Sequence, residues 1–316
     1  MIRTFGVAAR DGIAFVHDPA TGLTHRAPHG LPSGRLELDA ADVDGWPAVH
    51  PSTCGGTAPV SVCWSPIVRC NLRCPHCLDD KSVTEVGAAD RRRIAHVIGH
   101  AGILGVDISG GEPLLLHDLA ELADELTAAG CVVSVTTNGW HLKRRAVQLT
   151  GHVDAIKVSL DGPSSLLHDA WRGRGSFNRA VDGVREAVAA GLHVRLQTVL
   201  MASSRAFAQD MVTLAHRLGT GGVTFLQMLP IGEATRLPDG DQEMLGDDEA
   251  HALVEQLDVP PGLTVRLRTR QGAGGFTVIR ADGRVWRNDH PAERISALRA
   301  LRTPADLALT GSDGSA

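Results

Sequence analysis

The sequence predicts an α/β protein built on a partial (β/α)6 TIM-like barrel, with a small N-terminal β extension and a short C-terminal α/β extension. From Val60 onward, short β-branched runs closed by Gly, Ser or Pro alternate with helical patterns, six times in succession. That alternation is the pattern of a parallel sheet with right-handed crossovers. The chemically unusual residues fall just after the runs, at the carboxyl ends where a parallel barrel gathers its loops. With 316 residues, 43% of them hydrophobic, the chain can fill the core of one such domain.

Three segments are expected. Residues 1–57 carry two short apolar bits, Ile2 to Val7 and Ile13 to Val16, split by Asp-Gly, which predicts a β-hairpin whose role is packing. Residues 58–230 form the barrel. Its strands are expected at Val60–Val68, Val106–Ser109, Val132–Thr137, Ala155–Leu160, Val194–Leu200 and Val223–Leu229, with helices at Ala89–Leu104, Leu119–Ala129, Leu142–Leu149, Asn178–Ala190 and Arg205–Leu218. Residues 231–316 read as a loop, a helix over Asp247–Leu257 capped by Asp, a strand over Leu263–Thr269, a flexible break at Gly272–Gly275, and a hairpin turning on Asp282-Gly283. A disordered tail is expected from about Thr310.

Composition narrows the partners. The net charge is -5 and the basic residues are scattered, which is no footprint for nucleic acid or for an anionic membrane. The N-terminus lacks the pattern of a signal peptide, no run of about 18 apolar residues occurs, and the expected location is the cytoplasm. Six cysteines in such a chain suit metal ligation better than disulfides.

Three of those cysteines define the chemistry. The stretch V-R-C-N-L-R-C-P-H-C-L places Cys70, Cys74 and Cys77 within eight residues, close enough for one loop to wrap an inorganic centre. Thiolates suit zinc or an iron–sulfur cluster, and a four-iron cubane with three protein ligands keeps one iron open to a non-protein group. A structural zinc loop is the plainer alternative. The C-x3-C-x2-C spacing resembles the signature loop of the radical S-adenosylmethionine (radical SAM) enzymes, with His76 at their usual aromatic position.

The resemblance continues in order along the chain. Gly110-Gly111-Glu112-Pro113 follows the second strand and is similar to the family stretch that holds the methionine amine of S-adenosylmethionine; without that context, Glu112 reads as first-turn charge of a helix. Ser159 and Asp161, in K-V-S-L-D-G-P, resemble the region that contacts ribose and carboxylate, and either Arg172 or Arg174 is implied as the partner of the methionine carboxylate. Thr137, Asn138, Gln197 and Gln227 are polar residues at the ends of apolar strands, where they face cofactor or support its neighbours. The run through His168-Asp169, Arg172–Phe177 and Ala189–Leu192 is similar to the branch that modifies peptides and other natural-product precursors. Relatives there often carry a cysteine-rich C-terminal (SPASM-like) extension; Arg280–Asp289 resembles its start, yet no cysteine follows Cys131 in these residues, so an auxiliary cluster is not expected.

What the resemblance implies is an enzyme that holds a [4Fe-4S] cluster on Cys70, Cys74 and Cys77, binds S-adenosylmethionine, and takes electrons from a donor such as flavodoxin or ferredoxin. Its 5′-deoxyadenosyl radical would abstract hydrogen from a peptide or small-molecule precursor. A redox-neutral outcome such as epimerisation is favoured, with Cys63 or Cys54 as hydrogen donor, although each also reads as a small buried hydrophobe. Oxidative cross-linking or dehydrogenation of a peptide or sugar is the alternative, and a non-catalytic metal- or partner-binding relative is a reading of another class.

Overall fold

The computed structural model describes residues 1–79, 81–273, 276–288 and 294–308; the expected tail from Thr310 lies outside them. The chain opens with β1 (Ile2–Arg10), β2 (Ile13–His17), β3 (Thr24–Arg26) and β4 (Gly34–Asp39), then α1 (Ala40–Asp44). The barrel strands follow as β5 (Ser61–Trp64), β6 (Gly105–Ile108), β7 (Val132–Thr137), β8 (Ala155–Ser159), β9 (Val194–Leu200) and β10 (Gly222–Gln227). Between them run α2 (Ala88–Gly99), α3 (Leu119–Ala128), α4 (Leu142–Leu149), α5 (Ser165–Arg172), α6 (Ser176–Ala189) and α7 (Ala208–Arg217). The remainder comprises α8 (Gly240–Glu243), α9 (Asp247–Glu255), β11 (Thr264–Arg268), α10 (Arg270–Ala273), β12 (Thr277–Ile279), β13 (Arg284–Asn288) and β14 (Ile295–Ala300).

The main sheet has the order β11-β10-β9-β8-β7-β6-β5-β12-β13-β14. All pairings from β11 through to β12 are parallel, so the parallel run extends beyond the six expected strands at both edges. The strand over Thr264–Arg268 joins β10 as a further barrel strand, and β12 crosses to the other edge beside β5. The hairpin at Asp282-Gly283 is present between β12 and β13, with Gly283 at φ 72°, a left-handed conformation that favours glycine. Helix α9 starts at Asp247 as expected, but Gly246 occupies its N-cap and no side chain caps it.

Alternation along the strands gives the barrel two different faces. Val62, Trp64, Val106, Ile108, Val133, Val135, Ile156, Val158, Val223 and Phe225 belong to the apolar layer beneath the helices; each such side chain, fully buried, contributes about 1.5–3 kcal/mol. Their neighbours at i±1 face the lumen, and these are polar. Asp107 accepts hydrogen bonds from Ser134 Oγ (2.7 Å) and Thr136 Oγ1 (3.0 Å) and pairs with Lys157 Nζ at 3.3 Å. Lower down, the buried Arg195 donates to Thr224 Oγ1, to Thr264 Oγ1 and to the Val223 carbonyl.

The first 57 residues form more than a hairpin. Asp11 (φ 51°) and Gly12 (φ 78°) turn β1 into β2 as a two-residue hairpin loop requires, and β3 and β4 widen the unit to an antiparallel sheet of order β3-β2-β1-β4. This sheet packs against the amino-terminal ends of the barrel strands. Arg35 donates to both carboxylate oxygens of Asp154, each at 2.8 Å, and to the Cys131 carbonyl. Arg3 reaches His193 Nε2 at 2.8 Å and lies 3.6 Å from Asp18, while His17 lies against Gly105. The extension is thus a floor to the barrel, at the end opposite the strand-end loops. No helix among the described residues is long and apolar enough to cross a membrane.

The seal between floor and barrel has no slack at Gly105. A Cβ there would stand 2.2 Å from His17 Cδ2, and His17 is buried. Gly105→Ala is expected to lower the unfolding free energy by about 1–3 kcal/mol in urea titration; an unchanged midpoint would show that the floor does not press on β6.

Candidate active site at the barrel mouth

The loop that leaves β5 carries Cys70, Cys74 and Cys77, and backbone hydrogen bonds hold it from several sides. Gly111 N donates to the Ile67 carbonyl (2.7 Å) and Glu112 N to that of Arg69 (3.0 Å). A side chain on Gly111 would stand 2.3 Å from the carbonyls of Val68 and Arg69, so the paired glycines let the loop after β6 lie directly on the cysteine loop. From the other side Glu85 accepts from the amides of Val68 (2.8 Å) and Arg69 (2.7 Å). At its far end the Cys77 carbonyl accepts from Glu233 N, with Gly232 (φ 69°) packed against it. Glu85 and the Gly232-Glu233 turn carried no signal in the sequence beyond an isolated charge and a loop glycine.

Glu112 is fully buried and already occupied. Its Oε1 accepts from Leu114 N (2.9 Å) and Thr137 Oγ1 (2.7 Å), and its Oε2 from Asn138 N (2.8 Å). The carboxylate therefore ties the loops after β6 and β7 together, and also caps the short helical turn Pro113–Leu115. Burial pushes its pKa up, against the hydrogen bonds from Thr137, Asn138 and Leu114. Asn138 extends the tie: its Nδ2 donates to Asn71 Oδ1 (3.0 Å) and stands 3.6 Å from Cys70 Sγ.

On the opposite side of the mouth a second buried carboxylate behaves differently. Asp161, just past β8, meets Arg172 Nε at 2.5 Å, lies 3.0 Å from His76 Nε2, and accepts from Val199 N. Burial alone would raise its pKa, yet the Arg172 guanidinium and His76 hold the carboxyl far below the usual range. His76 packs edge-on against Trp171, with ring centroids 5.6 Å apart. Arg172 therefore sits among the cysteine-loop residues, whereas Arg174 is exposed, and of the two only Arg172 belongs to the mouth. Helix α5, which delivers Trp171 and Arg172, was not expected; it has only eight residues and follows a Gly-Pro-Ser-Ser stretch. Asp169 fixes its junction with α6, accepting from the amides of Gly175 and Phe177 and from Ser176 Oγ, with Gly175 in the left-handed conformation at φ 82°.

The remaining expected residues divide by location. Ser159 and Gln197 are half-buried at the lumen end of β8 and β9, paired in register, with no side-chain hydrogen bond among the described residues. Gln227 is committed elsewhere, donating to the Leu245 carbonyl and accepting from Arg270 N. Cys63 faces the lumen, and burial pushes its thiol up to about 12, Asp107 adding to the shift and Lys157 and Arg268 opposing it. Cys54 lies under the barrel against Phe15 and Val60, and Cys131, at the start of β7, donates to the Ile103 carbonyl; the fold does not bring either to the mouth.

The donor set suits a polynuclear cluster. All six cysteines are free, and burial pushes the thiols of Cys70, Cys74 and Cys77 up in the absence of metal, Cys74 to about 11, so a cationic centre is what would draw them to thiolates. A small, mainly apolar pocket adjoins the loop, lined by His76, Leu78, Val199, Leu226–Leu229, Arg268 and Phe276.

Residues 64–203 match the family described as the radical SAM superfamily. The mycofactocin maturase MftC of Mycobacterium tuberculosis is 31% identical over 202 residues, 60% of this chain and 51% of that protein. The GTP 3′,8-cyclase of Moorella thermoacetica is 33% identical over 182 residues, 52% of this chain and 54% of the cyclase. The chain thus spans about half the length of these curated relatives. Among solved structures, anSMEcpe with bound AdoMet and a Cp18Cys peptide aligns with a TM-score of 0.63 at 16% identity, covering 80% of this chain and 81% of that one. Streptococcus suis SuiB bound to the precursor peptide SuiA aligns at 0.60 and 17%, covering 72% and 59%. At such identities the solved structures speak to the fold, a partial TIM barrel.

His168 makes the mouth sensitive to acid. Its Nδ1 accepts from Asp161 N at 3.0 Å, so the ring is neutral, and burial pulls its pKa from 6.5 down to about 4, with Asp161 opposing. A histidine held neutral contributes its stability above pH 6.5 and loses it as the pH falls toward 4. Unfolding free energy is expected to drop by about 2–3 kcal/mol over that window on this account. His168→Gln should flatten that slope, whatever it does to stability at pH 8; an unaltered slope would mean that His17 and His193 carry the acid sensitivity instead.

Proposed function

Because residues 64–203 belong to the radical SAM superfamily, we propose that the chain is an enzyme that cleaves S-adenosylmethionine reductively at a [4Fe-4S] cluster and abstracts hydrogen from a peptide or other natural-product precursor. The observation that carries this reading is the trio of free thiols, Cys70, Cys74 and Cys77, on a loop clamped at the mouth of a parallel barrel beside a mainly apolar pocket. Those three cysteines would hold the cluster, which with S-adenosylmethionine bound would supply the radical chemistry for removing a hydrogen atom from the substrate.

The residues of the mouth position the cofactor. With the Glu112 carboxylate engaged by Leu114, Thr137 and Asn138, it is the backbone of Gly110–Pro113 that meets the methionine amine, and Glu112, Thr137 and Asn138 hold that backbone in place. Asn138 Nδ2 points a donor at the Cys70 sulfur. Ser159 and Gln197, whose side chains make no hydrogen bond among the described residues, serve the ribose. Asp161, locked by Arg172 and beside His76, orients these two against the cofactor, and the Arg172 cation faces its carboxylate. The apolar lining excludes water and competing hydrogen donors. Electrons come from a flavodoxin- or ferredoxin-like donor.

A precursor peptide as substrate is supported by the likeness to a maturase, MftC; a redox-neutral outcome is supported by Cys63. Its thiol stays protonated in the lumen and gives its hydrogen atom to the substrate carbon radical. One electron and one proton, drawn from the external donor and from water, then restore the thiol.

After anaerobic reconstitution about four irons and four sulfides per chain are expected, with none in the variant carrying Cys70→Ala, Cys74→Ala and Cys77→Ala, and 5′-deoxyadenosine is expected to form from S-adenosylmethionine only with the native loop. Zinc in place of iron would overturn the reading. In deuterated water, Cys63→Ala should still yield 5′-deoxyadenosine but place no deuterium on the product carbon; deuterium incorporation at the native level would exclude Cys63 as the donor.

A further inference from the structure

Several arginines buried or half-buried in this fold have carboxylate, hydroxyl or carbonyl partners, whereas two on the same strand have none among the described residues. Arg172 pairs with Asp161, Arg91 with Asp118, Arg35 with Asp154, Arg280 with Asp79, and Arg3 with Asp18, while Arg195 is satisfied by hydroxyls and carbonyls. On β11, Val265 and Leu267 pack toward the outer apolar layer, so Arg266 and Arg268 face the lumen. Neither has a carboxylate within ion-pair distance or a hydrogen-bond acceptor among the described residues. They stand close enough to repel: burial, with Arg268 and Arg195 adding to it, pushes Arg266 below the usual arginine range. Arg268 stacks on Phe276, its guanidinium carbon 4.9 Å from the ring centroid. Stacking uses the planar face of the guanidinium and leaves its in-plane N–H donors unspent.

Those donors have a destination. Arg268 is opposite Leu226 in the strand register and lines the pocket beside His76, and Cys63 and Asp107 are the charged or titratable groups that it feels most. A half-buried cation with open donors, inside a pocket lined by Leu78, Val199, Leu226, Met228, Leu229 and Phe276 together with His76 and Gln227, is complementary to a ligand with an apolar stem that ends in a planar anion.

We infer that Arg268 is the substrate anchor, taking a carboxylate of the precursor in a two-pronged hydrogen bond and so holding the neighbouring carbon between the cysteine loop and Cys63. The inference rests on the proposed radical SAM reading and adds the class of substrate: a peptide or small molecule with a carboxylate a short apolar stem away from the reacting carbon. Phosphate-bearing substrates are disfavoured by the apolar walls, which would strip a dianion of water with too few donors in return.

The test uses the reconstituted holoprotein saturated with S-adenosylmethionine and three probes, N-acetyl-L-glutamyl-methylamide, its glutaminyl counterpart and inorganic phosphate, titrated calorimetrically. The glutamyl probe should bind about tenfold or more tightly than the neutral one. Arg268→Gln should erase that preference, and Arg268→Lys should restore part of it, at unchanged iron content. Equal binding of the two amides, no binding of either, stronger binding of phosphate, or a preference that survives in Arg268→Gln would each overturn the inference. A loss of S-adenosylmethionine affinity in Arg268→Gln, with the glutamyl preference intact, would assign the arginine to the cofactor instead. Formation of 5′-deoxyadenosine in the same native preparation, measured without probe, keeps the parent reading separate: its presence alongside a failed anchor test rejects only the anchor.

Discussion

Two fully buried carboxylates hold the barrel mouth in shape, and the site depends on their being held in opposite ways. Glu112 is surrounded by neutral donors, two amides and a hydroxyl, so burial dominates and its pKa rises. Asp161 is surrounded by cationic or potentially cationic groups, Arg172 and His76, and its pKa falls despite the same burial. The first is a fastener between loops. The second is a fixed negative charge that keeps Arg172 extended toward Cys74, whose sulfur is among the groups that Arg172 feels. Replacing one environment with the other would leave either an unpaired buried charge or a carboxylate too weakly held to bridge the loops.

From these two points the cysteine loop gains its rigidity. Its backbone is bound by the loop after β6 and by the Gly232-Glu233 turn, and Glu85 takes both amides at its start. On the proposed function the loop would present three sulfurs to one centre, and holding it by its peptide groups leaves those side chains available for that role. The polar lumen below is built on the same economy: Asp107, Ser134, Thr136 and Lys157 satisfy one another, leaving Cys63 and the β11 arginines to face the chamber.

Much of this was legible in the sequence where the signal was local. The C-x3-C-x2-C loop, Gly110–Pro113 and the strand–helix rhythm each lie within a few consecutive residues, and strand positions such as Val132–Thr137 and helix Leu142–Leu149 match to the residue. What escaped depends on residues far apart in the chain. The hydrogen bonds of Glu112 to Thr137 and Asn138 form only when two loops are stacked, so nothing near Glu112 in the sequence announces them. Arg172 and Arg174 could not be separated until α5 set one inward and the other outward. The N-terminal floor was read as a single hairpin because β3 is three residues long and β4 follows a Pro/Gly-rich stretch. The parallel character of β11 and β12 was hidden for the same reason: pairing partners are not written into a strand's own residues.

The pairing of β12 with β5, Val278 against Cys63, also sets a timetable for the molecule's birth. As the chain leaves the ribosome, the strand that feeds the cysteine loop gains its β6 neighbour early, but its other edge stays bare until β12, 215 residues further along (278 − 63), has emerged. Such long-range pairing is slow to form, and a bare edge is prone to pair with the wrong chain. The cysteine loop is thus complete in the chain well before its own strand is closed on both sides.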